Sequence, residues 1–304
     1  MNLEENSIIA KDLTNKDVLL RVDFNVPLKG NELLDDERLV RALPTIKYII
    51  GKAKSLKILT HLGRPEETDL IQDQFSLKPV AKRLSELLDL EVNLVNSLKD
   101  MANKEGIVML ENIRFFKGEK ANDNELSIAL SNLADIFVMD AFGTAHRKQA
   151  STYGITEFIE EACVGFLVEE ELKALEKIVN SPEKPLLGII GGSKISTKMR
   201  IIDSLTNHVD HLIIGGALAN TCFKAMGKNI GQSLYEEEFV PLAKKIINHP
   251  KIVLPEYVVV SKGGVTNAQE KNINDLDDDD IIFDVGAQSI ENFASLIADA
   301  KIII

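Results

Sequence analysis

The sequence predicts an α/β protein of two doubly wound, Rossmann-like parallel-sheet domains joined by a helix. Three observations predict it. Short apolar runs alternate with amphipathic stretches almost throughout the chain, which is the pattern of parallel strands linked by right-handed crossover helices. The length of 304 residues is more than one core usually serves. The two halves also differ in chemistry on either side of Val164–Ser181. Seven of the eight arginines precede this stretch, whereas the glycine pairs Gly191-Gly192 and Gly215-Gly216 follow it, each closing an apolar run. The expected division is residues 1–163, a joining helix 164–181, and residues 182–304.

The joining stretch reads VGFLVEEELKALEKIVNS. Leu172, Leu175, Ile178 and Val179 recur at helical spacing, and Glu169, Glu170, Lys173, Glu176 and Lys177 take the other face. Glu169 and Lys173 form an i,i+4 pair in the favourable order. Ser181-Pro182 stops the helix, because a residue before proline avoids the α region. In the first half, strands are predicted at Val18–Val22, Leu56–Thr60, Glu91–Val95, Ile107–Leu110 and Ile136–Met139. Helices are predicted at Asp36–Lys54, at Leu77–Leu88 with Ser76 as N-cap, and at Asp123–Ala134. In the second half, strands are predicted at Leu186–Ile190, Val209–Ile214, Tyr257–Val260, Ile281–Asp284 and Lys301–Ile304. Helices start at Ser193, Ala217, about Glu236 and Ser289. Lys262–Asn272, polar and glycine-bearing, reads as a surface loop.

Composition removes several function classes. The formal net charge is -12, which argues against a nucleic-acid surface, so any positive charge that matters must be local. Hydrophobic residues make up 45% and charged residues 27%, an ordinary globular balance. No apolar run approaches the length of a membrane span, and Met1–Lys16 is charged and lacks the apolar core of a secretory signal. Cys163 and Cys222 sit in apolar surroundings without metal-ligand spacing. They read as reduced core thiols, consistent with a reducing, cytoplasmic compartment.

In parallel sheets, ligands bind beyond the carboxyl ends of the strands. Four consecutive strand ends carry polar chemistry there: Asp23-Phe24-Asn25, His61-Leu62-Gly63-Arg64, Glu111-Asn112-Ile113-Arg114 and Asp140 through Arg147. For Asp23 and Asn25 the competing reading is an Asx turn before Pro27; for His61 it is a surface loop. Arginine at converging strand ends means bidentate recognition of carboxylate or phosphate. Arg38 opens a helix, where acids are favoured, so it is either solvated or aimed into a site. In GIIGGSKISTK (188–198), Gly191 and Gly192 permit close approach of backbone to phosphate. Lys194 and Lys198 are expected on one helical face. The stretch matches neither the P-loop nor the dinucleotide fingerprint, which weakens a dehydrogenase reading. For Gly215-Gly216, packing competes with binding. The acidic run Asn274–Asp280 lacks calcium-loop spacing and reads as solvated.

RVDFNVPL, DDERLVRALPTI, THLGRP, ENIRF, MDAFGTAHR and IIGGSKISTK together resemble phosphoglycerate kinase, in order and along essentially the whole chain. The resemblance implies reversible phosphoryl transfer between 1,3-bisphosphoglycerate and ADP, giving 3-phosphoglycerate and ATP in glycolysis. It implies that Asp23, Asn25, His61, Arg64, Arg114 and Arg147 hold 3-phosphoglycerate and that Arg38 stabilises the transferring group. Lys194 and Lys198 would join Arg38 as catalytic residues, contacting the transferring group and, with Gly192, the nucleotide phosphates, and Gly215, Gly216 and Phe283 would flank the adenine. It further implies two domains closing about the hinge, Mg²⁺ carried by the nucleotide, and a monomer. Ala217 stands where the family usually has a third glycine, and Ala287 stands near a usual proline. The family's Asn-Gly-Pro, its Gly-Gly-Gly-Asp loop and its returning C-terminal segment have no counterpart before Ile304. The expectations are accordingly an incomplete and weakened second domain, no protein ligand for the metal in this chain, and little or no kinase activity. The alternative is a non-catalytic homologue that retains the glycerate site.

Overall fold

The computed structural model describes residues 3–304 except Asn31, Ser181, Pro182, Thr197, Val265 and Thr266, and except the side chains of Lys177, Val179, Asn180 and Met199. It divides into two compact units, Met1–Ala174 and Leu175–Ile304. The division falls inside the helix Phe166–Asn180.

The first unit contains β1 (Asp17–Val22), β2 (Leu28–Lys29), β3 (Glu32–Leu33), β4 (Ser55–Leu59), β5 (Val92–Val95), β6 (Ile107–Leu110), β7 (Ile136–Asp140) and β8 (Glu161–Val164). Six of them form one parallel sheet in the order β5-β6-β4-β1-β7-β8. β2 and β3 pair as a small hairpin. Both faces of the sheet are covered, so its strands read as continuous apolar runs rather than alternations. Val18, Leu20, Val22, Ile58 and Val138 pack on one face with Leu39, Ile46 and Ile49 of the helix Glu37–Ile50. Leu19, Leu59, Val108, Leu110 and Phe137 pack on the other with Leu126 and Leu130 of the helix Asn124–Ser131. The chain winds outward from β1 to β4 on one side and to β7 on the other. That reversal opens a crevice beyond the carboxyl ends of the strands, where the four polar strand ends lie.

Two boundaries differ from the pattern-based expectation for reasons visible in the packing. The helix expected from Leu77 begins at Lys78. Ser76 Oγ accepts from Lys78 N at 3.3 Å but donates to buried Glu111 at 2.7 Å, so this serine ties the helix start to the end of β6. The joining helix begins at Phe166 rather than Val164 because the chain just before it is strand: Cys163 and Val164 belong to β8, paired with β7. Glu169 pairs with Lys173 as its spacing suggests and also accepts from Ser7 Oγ at 2.5 Å. Leu175 on the expected apolar stripe is 39% exposed, while the stop at Ser181-Pro182 lies outside the described residues.

The second unit contains β9 (Leu186–Ile190), β10 (His211–Ile214), β11 (Ile252–Val253), β12 (Tyr257–Ser261), β13 (Gln269–Asn272), β14 (Ile281–Val285) and β15 (Ile302–Ile303). A parallel sheet has the order β11-β10-β9-β15, packed on Ile195, Ile202, Leu218 and Cys222. β12 pairs antiparallel with both β13 and β14 in a separate sheet. Thus part of the stretch expected to be a surface loop is strand β13. Its polar sequence, QEKN, is what an edge strand carries.

The helix expected from Ser193 begins only at Met199. Ser196 is held instead by Glu236, whose two carboxylate oxygens accept from Ser196 N at 2.9 Å and Ser196 Oγ at 2.7 Å. Lys194 therefore lies in the turn before the helix, and Lys198 is the residue just ahead of its first turn. The two lysines do not share a helical face. Cys163 and Cys222 are free and buried, and burial pushes both thiols up to about 12. Among the described residues, no helix is long and apolar enough to cross a membrane.

Candidate active site

Phosphate and carboxylate recognition needs donors held rigidly at strand ends. The first unit builds this from the backbone outward. After β1, Asp23 Oδ1 accepts from Asn25 N at 3.2 Å, so the Asx turn does form. The Asn25 side chain in turn accepts from Gly63 N at 2.8 Å, which ties the loop after β1 to the loop after β4. Gly63 has φ +61°, and a Cβ there would lie 2.5 Å from the Phe75 ring. Only glycine fits this turn. Gly63 O accepts from Arg114 Nη1 at 2.6 Å, drawing in the loop after β6. Fully buried Asn112 fixes that loop, accepting from Arg114 N at 3.2 Å and donating to Leu62 O at 2.7 Å.

His61 is not a surface residue; it is 2% exposed. Burial, reinforced by Arg21, Arg114, Arg147 and Arg38, pushes its imidazole down to about 2. It is therefore neutral at pH 7. Arg114 is buried and its guanidinium is pushed down from the ordinary arginine value, by burial first and then by Arg147, with Arg64 adding to the effect. Arg64 is exposed and Arg147 half-buried. Arg38 pairs with Asp23 while its side chain remains 51% exposed. It lines a cavity of about 270 Å³ with Asp23, Arg41, Asp140, Phe142 and Gly143. The structure thus brings together Asp23, Asn25, Arg38, His61 and Arg114, with the charges of Arg64 and Arg147 close enough to act on Arg114.

Sequence reasoning missed the groups beneath this ring. Arg21 is 1% exposed. Its Nε donates to Ser151 Oγ at 3.0 Å, and Ser151 Oγ donates to Glu119 at 2.6 Å. Glu119 is itself fully buried. Burial pulls Arg21 down to about 10, opposed by Glu119 and Asp23. An arginine within the apolar run VLLRV was the available signal, since a buried charge is kept only with partners.

In the second unit the two glycine turns pack on each other. Gly215 N donates to Ile190 O at 2.9 Å, and Leu218 N to Gly192 O at 3.2 Å. A Cβ on Gly216, which has φ +65°, would lie 3.0 Å from Gly192 O. Gly216 therefore has a packing role whatever else it does. The Lys198 side chain lies along Gly192, where a Cβ would meet Lys198 Cε at 3.0 Å. Lys194 is exposed. Phe283 and Gly216 line one cavity of about 230 Å³, together with Ala219, Phe223, Val258 and Ile282. A partly apolar cavity, lined also by Asn220 and Asp284, beside a glycine turn can accept a ring joined to an anionic chain.

Arginines gathered around a buried histidine in one unit and a glycine-lined cavity in the other are an arrangement compatible with a phosphotransferase. The family model described as phosphoglycerate kinase matches residues 8–304. The phosphoglycerate kinase of Francisella philomiragia is 46% identical over 302 residues, covering 96% of this chain and 77% of the relative. That of Vibrio campbellii is 43% identical over the same shares of the two chains, 96% and 77%. The solved structure of the Coxiella burnetii enzyme superposes with a TM-score of 0.85 at 42% identity, covering 98% of this chain and 78% of that one. The Pyrococcus horikoshii enzyme superposes at 0.80 with 27% identity, covering 98% of this chain and 79% of that one. The chain belongs to the phosphoglycerate kinase family, glycolytic kinases that move a phosphoryl group between an acyl phosphate and ADP.

Proposed function

We propose that the first unit binds 3-phosphoglycerate through Arg64, Arg114 and Arg147, with neutral His61 as a donor and Asp23 and Asn25 holding the loops in place. The observation that carries this is electrostatic. Arg21, Arg38, Arg114 and Arg147 act on one buried histidine, Arg64 acts on Arg114, and Asp23 and Glu119 counter the charge of Arg21 and Arg114. In a protein of net charge -12, such a local excess is maintained against self-repulsion, and an anion relieves it. Arg38 is assigned to the transferring phosphoryl group, because its exposed guanidinium is held by one carboxylate and retains free donors.

In the second unit, Gly192, Lys194 and Lys198 are assigned to the nucleotide phosphates, and Gly215, Gly216 and Phe283 to the base. Phosphoryl transfer needs positioning and charge stabilisation rather than a covalent intermediate. The attacking oxygen is already ionised, so no general base is required.

Mg²⁺ carried by the nucleotide would supply charge neutralisation at its phosphates. Among the described residues, one group of acids converges closely enough to hold a cation: Asp277, Asp279 and Asp280. It does not fit this role. Lys262 pairs with Asp277 and Asp279, and Lys271 with Asp277 and Asp280, at 2.7–2.9 Å. A monomer acting in the cytoplasm completes the proposal; buried thiols in the reduced state support the compartment.

Titration calorimetry with 3-phosphoglycerate tests the glycerate site. Arg64→Ala and Arg147→Ala should each weaken binding about tenfold or more, and unchanged affinity in both would remove the assignment. A coupled assay for ATP formation separates a kinase from a homologue that only binds glycerate.

A further inference from the structure

We infer that Arg21 is a positioning residue, which fixes the tautomer of His61 so that Nε2–H is the donor presented to substrate. The inference rests on the assignment of His61 to the glycerate site. Arg21 Nη2 lies 3.4 Å from His61 Nδ1. A guanidinium has donors and no acceptor, so Nδ1 must offer its lone pair there, and the ring proton goes to Nε2. The competing acceptor for an Nδ1 proton is Asp23 Oδ1, but it stands 3.9 Å away. Asp23 is also engaged elsewhere: Oδ1 accepts from Asn25 N at 3.2 Å, and Oδ2 takes Arg38.

Arg21 is itself aimed by a chain of one-way hydrogen bonds. Its Nη1 donates to Val22 O and its Nε to Ser151 Oγ at 3.0 Å. That hydroxyl, having accepted, donates onward to Glu119 Oε1 at 2.6 Å, while Ser151 N donates to Glu119 Oε2 at 2.9 Å. Every member is buried, so water cannot substitute for any of them. Two of the three nitrogens of Arg21 are spent on the scaffold, which leaves Nη2 facing the imidazole. A histidine in the other tautomer would point a lone pair at an incoming carboxylate or phosphate and repel it.

The test uses the full chain labelled with ¹⁵N-histidine. A long-range ¹H–¹⁵N correlation spectrum separates the Nε2–H from the Nδ1–H tautomer, and His61→Gln identifies the resonance. The native protein should show one neutral Nε2–H tautomer before any ligand is added. Arg21→Met should lose that single tautomer and raise KM for 3-phosphoglycerate about tenfold with a smaller change in kcat. Arg21→Lys, which still donates, should restore the tautomer. If Arg21→Met does not fold, Ser151→Ala keeps Arg21 but removes the acceptor that aims its Nε, and should mix the tautomers. An Nδ1–H tautomer in the native protein overturns the inference. So does an unchanged tautomer in the Arg21→Met variant or, where that variant does not fold, in Ser151→Ala. Because the spectrum needs no ligand, absence of 3-phosphoglycerate binding would count against the proposed site and leave the tautomer result standing.

Discussion

Replacing Arg147 by glutamine should make the unliganded protein more stable and the liganded protein less so. Arg147 lowers the pKa of Arg21, His61 and Arg114, which means that without ligand its charge works against two charged guanidinium groups and against protonation of the neutral histidine. Two unit charges roughly 8 Å apart interact by about 2 kcal/mol at an effective dielectric of about 20. Salt at physiological strength and the attraction of Glu119 and Asp23 cut this to about 0.5 kcal/mol. With ligand present the sign reverses. At 3-phosphoglycerate a hundredfold above the native Kd, binding stabilises by about 2.7 kcal/mol. A tenfold weaker variant at the same concentration gains only about 1.4 kcal/mol. The variant's midpoint should therefore lie about 1–2 °C above native without ligand and about 2–3 °C below it with ligand. Differential scanning fluorimetry across a ligand series reads both limbs, and the two curves should cross. Curves that stay parallel, or a variant destabilised without ligand by more than about 1 kcal/mol, would refute the reasoning that Arg147 is held against repulsion for the sake of an anion.

Other outcomes follow from the same geometry. Gly63→Ala puts a methyl group 2.5 Å from the Phe75 ring at φ +61°; chemical denaturation should show a loss of about 1–3 kcal/mol, and no loss would mean the loop is not rigid. The pKa of His61, about 2 in the fold, lies below its unfolded value of about 6.5. The unfolded chain then binds the extra proton, and stability from this group is full above pH 6.5 and falls as pH drops below it. Between about pH 6.5 and 4.5 the native protein should lose about 2 kcal/mol more than His61→Gln, read as the difference between their denaturation midpoints; equal pH slopes would show that His61 titrates normally. Arg38→Ala should depress kcat strongly with a small change in glycerate affinity, because its target is charge that moves in the transition state; steady-state kinetics with an unchanged kcat would remove it from the catalytic set. Gly216→Ala, whose Cβ would lie 3.0 Å from Gly192 O, should weaken ADP binding in calorimetry more than it weakens 3-phosphoglycerate binding, and equal effects would argue against a nucleotide role for this turn.

The chain itself carried the alternation of apolar runs and amphipathic helices, and with it the parallel sheets. This information is local: a strand buried on both faces must be apolar throughout, and its crossover must return with a helix. The strand-end motifs were legible for a related reason, because parallel strands place every carboxyl end on one edge. Tertiary structure decided what had no local signature. The helix expected at Ser193 starts at Met199 because Glu236, 40 residues on, captures Ser196. The polar QEKN stretch became strand β13 because β12 offered an open edge. Above all, the sequence marked His61, Arg114 and Arg147 as ligand candidates, but beyond one arginine inside the apolar run VLLRV it held no sign that Arg21, Ser151 and Glu119 join beneath them. Those three residues are far apart in the chain, and none has a periodic pattern. Their roles exist only because the fold buries charge and removes the water that would otherwise satisfy it.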